Sequence, residues 1–222
     1  MAKKEEKKER ISIWTPPGRF SYPFFAEPDN RGHEYSDGCY KCDFFIPKPI
    51  FKEKAAELQK LVLFVGQEEH GKAFTLKSDE YYVPFKDMDL EEEVKNEAFL
   101  NCIMIRPKAK PSKKDGGKPA RQPLFVGPRK NESGKFDKLT QEEIAAIKGG
   151  DWGRCYVDIY AYTTKPTKTN PLKGGVTFGL RMVQFWKEGD AFGQGVATLL
   201  NTVEELESEL DEVVEETADS II

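Results

Sequence analysis

From Arg154 to Tyr162 apolar and polar residues alternate without a break (RCYVDIYAY). A period of two over that length fits a β-strand with one buried and one open face, not a helix. Cys155, Val157, Ile159 and Ala161 make up the small, apolar face that suits a core. Arg154, Tyr156, Asp158, Tyr160 and Tyr162 make up the other. A second long strand, Gly175 to Lys187 (GVTFGLRMVQFWK), follows a polar, cationic connection over 163–174. Strands this long need partners. Tyr40 to Ile46 is one, with Tyr40, Cys42, Phe44 and Ile46 facing one way and Lys41, Asp43 and Phe45 the other. Arg19 to Phe25 is the first ordered element, with Phe20, Tyr22 and Phe24 on one side. Pro23 has no ladder donor, so that strand lies at an edge or carries a bulge. Phe99 to Arg106 is a further strand and Pro123 to Val126 a short one.

Helical spacing appears twice. Ile50, Lys54, Ala55, Leu58, Leu61, Val62 and Val65 recur at three and four, predicting an amphipathic helix over 49–65 that Pro49 can start and Gly66 end. Thr140 followed by Glu143 is a capping-box start for a second helix, stopped by Gly149 and Gly150. Pro107 to Pro119 is rich in Pro, Gly and Lys and reads as a long basic loop. Five or six strands with one or two helices in the connections, and no regular strand–helix alternation, predict a mainly β chain. The leading architecture is an OB-type, partly open five-stranded barrel with a C-terminal acidic helix or tail. The expected layout is a charged arm over 1–10, the barrel over 11–202 and an acidic tail over 203–222.

Charge separates along the chain. The net charge is −4, yet the last stretch alone holds nine acidic residues and no basic one: Glu204, Glu205, Glu207, Glu209, Asp211, Glu212, Glu215, Glu216 and Asp219. The body before it is therefore net basic, an asymmetry that points to nucleic acid or to an interaction tail. A helical apolar stripe runs into and along the tail: Val196, Leu199, Leu200, Val203, Leu206, Leu210, Val213 and Val214. It fits an amphipathic helix packed on the body or on a second copy of the chain, rather than a free tail. No apolar run reaches the length of a membrane helix and the start MAKKEEKKER has no secretory core, so a cytoplasmic location without membrane contact is expected.

The open face of the 154–162 strand holds the candidate chemistry. Its tyrosines are either plain β-formers or stacking platforms, and every base offers a π-face to such a platform. Cations stand on the neighbouring elements: Lys41; Lys108 and Lys110, with Lys113, Lys114, Lys118 and Arg121, in the basic loop; Lys165 and Lys168 in the connection; Arg181 in the last strand. A groove that tracks a phosphate backbone needs such charge. The helix over 49–65 could instead cover the tyrosine face. Arg154, Tyr156, Tyr160, Tyr162, Lys41, Lys108, Lys110, Lys165, Lys168 and Arg181 are the candidate nucleic-acid contacts.

Cys39 and Cys42 have the spacing of half a zinc site, but Cys102, Cys155, His33 and His70 form no second close pair. Buried thiols are the expected reading and no metal or cofactor is assigned. Two histidines, no phosphate-binding glycine loop and no metalloprotease pair give no basis for an enzyme.

Four stretches then resemble one family: MAKK with GRFSYPFFAEPD, GCYKCDFFIPK, GGVTFGLRMVQFWKEGDAFGQG, and the acidic tail. In order and spacing they resemble the tailed-phage single-stranded DNA-binding proteins, OB-folds with an acidic C-terminal tail. The resemblance implies coating and annealing of single strands in replication and recombination, without catalysis. It further implies contact with polymerase, primase or helicase through the tail, and a homodimer. This chain departs from the family pattern in ending Ile221-Ile222 rather than on an aromatic residue. Two other classes stay open: an adaptor or phage structural component docking through the acidic tail, and a metal-dependent nuclease using acidic clusters such as Glu91 to Glu93.

Overall fold

The computed structural model describes residues 10–31, 37–91, 96–111, 120–131 and 133–192. Ten strands form one mixed sheet: β1 (Ile11–Trp14), β2 (Gly18–Phe24), β3 (Tyr40–Pro47), β4 (Lys86–Asp87), β5 (Cys102–Ile105), β6 (Lys108–Ala109), β7 (Leu124–Lys130), β8 (Phe136–Lys138), β9 (Trp152–Thr163) and β10 (Gly174–Lys187). Five of them close a ring, β2–β3–β6–β10–β9 and back to β2. Every pairing in the ring is antiparallel except β6 with β10. That ring is the OB-type barrel, and the other strands are additions to it: β1 beside β9, β7 and β8 beyond β10, β4 and β5 against β3.

Alternation explains the interior. Phe20, Phe44, Ile46, Val157, Ile159, Phe178 and Val183 point inward and are buried in one cluster. Burying side chains of this size contributes roughly 1.5–3 kcal/mol each. Among the described residues three α-helices close the barrel: α1 (Lys48–Lys54), α2 (Ala56–His70) and α3 (Gln141–Ala146). Leu58 and Val62 of α2 and Ile144 of α3 enter the same cluster as Cys155 and Val157. The long helix therefore packs with the apolar side of β9, and Tyr160 on the other side keeps 37% of its surface exposed. Thr140 and Glu143 form the expected capping box on α3. Among the described residues no helix is long and apolar enough to cross a membrane.

The structure corrects six local expectations. Order begins at β1, before Arg19, because Ile11–Trp14 pairs with β9 from Ile159 to Tyr156. The 49–65 helix is two helices hinged at Ala55, and the second runs through Gly66 to His70. Gly66 is a close-packing position and not a stop, since a Cβ there would collide with the Phe74 ring. The strand expected from Phe99 starts only at Cys102, after Asn101 turns the chain at φ 57°. Lys108–Ala109, expected to be loop, is the ring strand β6. Tyr22 does not share a side with Phe20, because β2 bulges between Ser21 and Phe24.

Candidate nucleic-acid interface

Gly179 organises the open side of the barrel. It pairs with Asp158 on β9 and with Lys108 on β6. Having no side chain, it leaves a trough into which Tyr160 leans; a Cβ on Gly179 would stand 3.2 Å from that ring. The trough belongs to a cleft of about 850 Å³ lined by Tyr156, Tyr160, Lys108, Lys110, Arg121 and Arg181, with Arg10. Asp158 is the acid among them. It accepts a hydrogen bond from the Ser12 hydroxyl at 2.7 Å and pairs with Arg181 at 3.4 Å and Arg10 at 3.7 Å. Arg181 still exposes 54% of its side chain, so the pair fixes its position without removing it from solvent. Burial raises the Tyr160 phenol, which keeps that ring neutral.

An aromatic layer stands beside the tyrosines. Trp14 faces Tyr156 across the β1–β9 ladder, with ring centroids 5.1 Å apart. The Arg154 guanidinium lies 4.5 Å from the Trp14 ring and 5.7 Å from that of Trp186, and its Nε donates to Gln184 Oε1 at 2.7 Å. Burial lowers its pKa to about 10, so the group is charged but poorly solvated. Arg154 thus braces two indoles, and its guanidinium is not among the cleft-lining groups.

On the other side of Lys108 a cavity of about 580 Å³ opens between β2, β3 and β6. Its cations are held by carboxylates. Lys41 Nζ is 2.9 Å from Asp37 and 3.0 Å from Asp29. Lys108 Nζ is 3.1 Å from the second oxygen of Asp37. Arg31 donates to Asp29 at 2.9 Å and Arg106 to Asp43 at 2.6 Å. Burial alone would raise the Asp37 carboxyl, but the hydrogen bonds from Lys41 and Lys108 hold it at about 2. The hydrogen bond from Arg31 holds the Asp29 carboxyl well below the usual carboxylate range, against the pull of burial and with help from Lys41.

No protein-family model matches the chain, and no curated protein matches it in sequence. Solved structures do match. The single-stranded DNA-binding protein of bacteriophage Enc34 in complex with ssDNA aligns at TM-score 0.57 and 17% identity, covering 86% of this chain and 100% of that one. The gp2.5 single-stranded DNA-binding protein of bacteriophage T7 aligns at TM-score 0.53 and 18% identity, covering 87% of this chain and 94% of that one. The chain has the fold of these phage single-stranded DNA-binding proteins. At such identities the likeness is one of fold.

On this barrel the residues expected from sequence separate into groups. Lys108, Lys110, Tyr156, Tyr160 and Arg181 come together in the cleft. Lys41 lies in the neighbouring cavity and Arg154 in the tryptophan layer. Tyr162 sits further along β9, opposite Gly175, whose backbone bridges to Tyr82. Lys165 and Lys168 are exposed on the β9–β10 connection. Lys113, Lys114, Lys118 and the acidic residues from Glu204 to Asp219 lie outside the described residues. Sequence reasoning missed Trp14, Trp186 and Arg10. The alternation Ile11-Ser12-Ile13-Trp14 ahead of Pro16 was the signal for the first of them. Of the Cys39–Cys42 pair, Cys42 belongs to the main core with Cys155, whereas Cys39 directs its thiol to the Asp37 carbonyl. Burial raises the Cys39 thiol to about 11 and that of Cys102 to about 12, so both are protonated.

Proposed function

We propose that this protein binds single-stranded DNA with little sequence preference, through the cleft between β6, β9 and β10. The observation that carries the reading is the meeting of two half-open tyrosines with Lys108, Lys110, Arg121 and Arg181 around a glycine-floored trough. Bases stacked on Tyr156 and Tyr160 contribute ~1–3 kcal/mol each, and the contact tolerates any base. The cations follow the phosphates and read no base edge. A duplex keeps its bases stacked on one another and offers no free π-face to the tyrosines. The binding of single-stranded DNA by the Enc34 protein of the same fold supports this reading.

The protein acts as a non-catalytic coat on single strands in phage replication and recombination, in the host cytoplasm, as a homodimer of barrels built from 11–202. Its tail, 203–222, competes with DNA for the cleft and recruits polymerase, primase or helicase. The decisive experiment is a titration of the full chain with oligothymidylate and with duplex of the same length, followed by tryptophan and tyrosine fluorescence. Quenching by the single strand, weak response to duplex and a steep fall of affinity with salt are expected. Each released phosphate contact adds about 0.7 to the salt slope. An absence of single-strand binding at low salt removes the proposal and leaves the adaptor reading. Deletion of 203–222 should tighten binding, and an unchanged affinity would remove the competition by the tail.

A further inference from the structure

Tyr22 and Asn101 are the two non-glycine residues at positive φ among the described residues, at 45° and 57°. An asparagine tolerates the left-handed region because its short side chain bonds locally; a tyrosine has no such compensation. Tyr22 also precedes Pro23, which favours extended backbone at the preceding position. The cause is the β2 bulge: Ser21 faces Asp43 and Phe24 faces Lys41, so Tyr22 and Pro23 together oppose Cys42 alone. The extra residue lets Phe25 enter the core against Phe20 and Phe125. That packing accounts for the bulge but not for a tyrosine at its tip, where glycine would serve the fold better. Tyr22 is 68% exposed, the most exposed aromatic residue among the described residues.

Its surroundings match those of the main cleft. Tyr22 lines the cavity that also holds Phe24, Arg31, Lys41, Arg106 and Lys108. The Arg31 guanidinium lies 4.3 Å from the Phe24 ring and the Lys41 ammonium 5.8 Å from it. Lys108 lines both the cavity and the cleft, so the two adjoin at that side chain. Asp37, gripped by Lys41 and Lys108, shows that these two ammonium groups can share one anion.

We propose that Tyr22 is a second seat for an unpaired nucleobase. A strand leaving the Tyr156–Tyr160 cleft passes Lys108, with a phosphate between Lys108 and Lys41 in place of the Asp37 carboxylate, and stacks a base on Tyr22. The assignment rests on the single-strand reading of the cleft and extends it. Strain at the bulge tip is the local cost of holding a ring outward, as backbone strain at binding sites commonly is.

The test measures the affinity of the full-length wild type, Tyr22→Ala, Tyr22→Gly, Tyr22→Phe and Tyr156→Leu for a ladder of oligothymidylates. Tyr22→Ala and Tyr22→Gly should match the wild type on the shortest strands and fall behind by on the order of 10-fold on long ones, the loss of one stacked base. Tyr22→Phe should follow the wild type throughout. Tyr22→Gly should also raise the melting temperature by relieving the bulge, which separates lost binding from lost folding. Wild-type and Tyr22→Ala curves that superimpose at every length, while Tyr156→Leu is weakened, overturn the second seat and leave the cleft intact. A wild type that binds no length overturns both.

Discussion

The cleft and the neighbouring cavity contain the same side-chain chemistry, aromatic rings among cations, but their charges are disposed differently. In the cleft one carboxylate, Asp158, serves two arginines that remain largely in solvent. In the cavity Lys41 and Lys108 share Asp37, Asp29 takes Lys41 and Arg31, and Asp43 takes Arg106. A phosphate can approach the exposed arginines, Lys110 and Arg121 of the cleft without displacing a carboxylate from each, whereas at Lys41 and Lys108 it must displace Asp37. The number of basic residues in a region is therefore a poor measure of the positive charge it offers a strand.

Removing the stacking surface of the cleft has the largest expected effect. The double variant Tyr156→Leu/Tyr160→Leu keeps apolar bulk on β9 but removes two π-faces. At ~1–3 kcal/mol per base, binding of a fluorescent oligothymidylate should weaken by at least about 30-fold. Anisotropy at fixed salt measures it, with the melting temperature as a control on folding. A loss of only a few-fold would place the main stacking elsewhere, with Trp14 and Trp186 the next rings to test.

The open cations come second. Lys110→Ala/Arg121→Ala should weaken binding by roughly tenfold at low salt and reduce the salt slope by about 1.4, two contacts at 0.7 each. Lys41→Ala should change the slope less, because Lys41 already has carboxylate partners that a phosphate must replace. Equal slope changes for the cleft and cavity variants would break the distinction between the two regions.

The division between what the sequence disclosed and what it hid follows the length of each element. β3, β9 and β10 carry eight, twelve and fourteen residues, enough for alternation to declare both faces. The tyrosine row and the buried Cys155–Val157–Ile159 row were legible for that reason. β1 and β6 hold four and two residues, too few to declare a period, and they exist because β9, β3 and β10 offer ladders to pair with. Missing β1 concealed Trp14 and the brace it forms with Arg154. Ion pairing was equally hidden. Lys41 reads as a free groove cation until folding brings Asp29 and Asp37 to it from the connection between β2 and β3.

Third in size is the effect of releasing a cavity cation pair. Asp37→Asn keeps the shape of the side chain and frees Lys41 and Lys108 from one negative charge. Removing one charge near the strand is worth ~1 kcal/mol at low salt, so single-strand affinity should rise by about 5-fold, and the gain should shrink as salt is added. Asp29→Asn is a poorer probe because Asp29 is itself buried beneath Arg31 and Lys41. Unchanged or weaker binding by Asp37→Asn would mean that strands do not enter the cavity and that Asp37 serves the fold alone.

The smallest expected effect lies in the acid stability of the same pair. Hydrogen bonds hold the folded-state pKa of Asp37 at about 2, below the ordinary 3.8 of a free aspartate. A depressed carboxyl stabilises the fold above its unfolded pKa and loses that contribution as pH falls through the folded value. The Asp37 share of stability is therefore complete at neutral pH, declines between about pH 4 and pH 2, and is absent below. Asp37→Asn should accordingly be slightly less stable than the wild type near neutrality, and the two melting temperatures should converge as pH falls across that window. Because Asp37 stays ionised at every physiological pH, the 5-fold gain in affinity expected of the variant should be the same at pH 6 and pH 8. A gain that changes between those values would assign the cavity's charge control to another group.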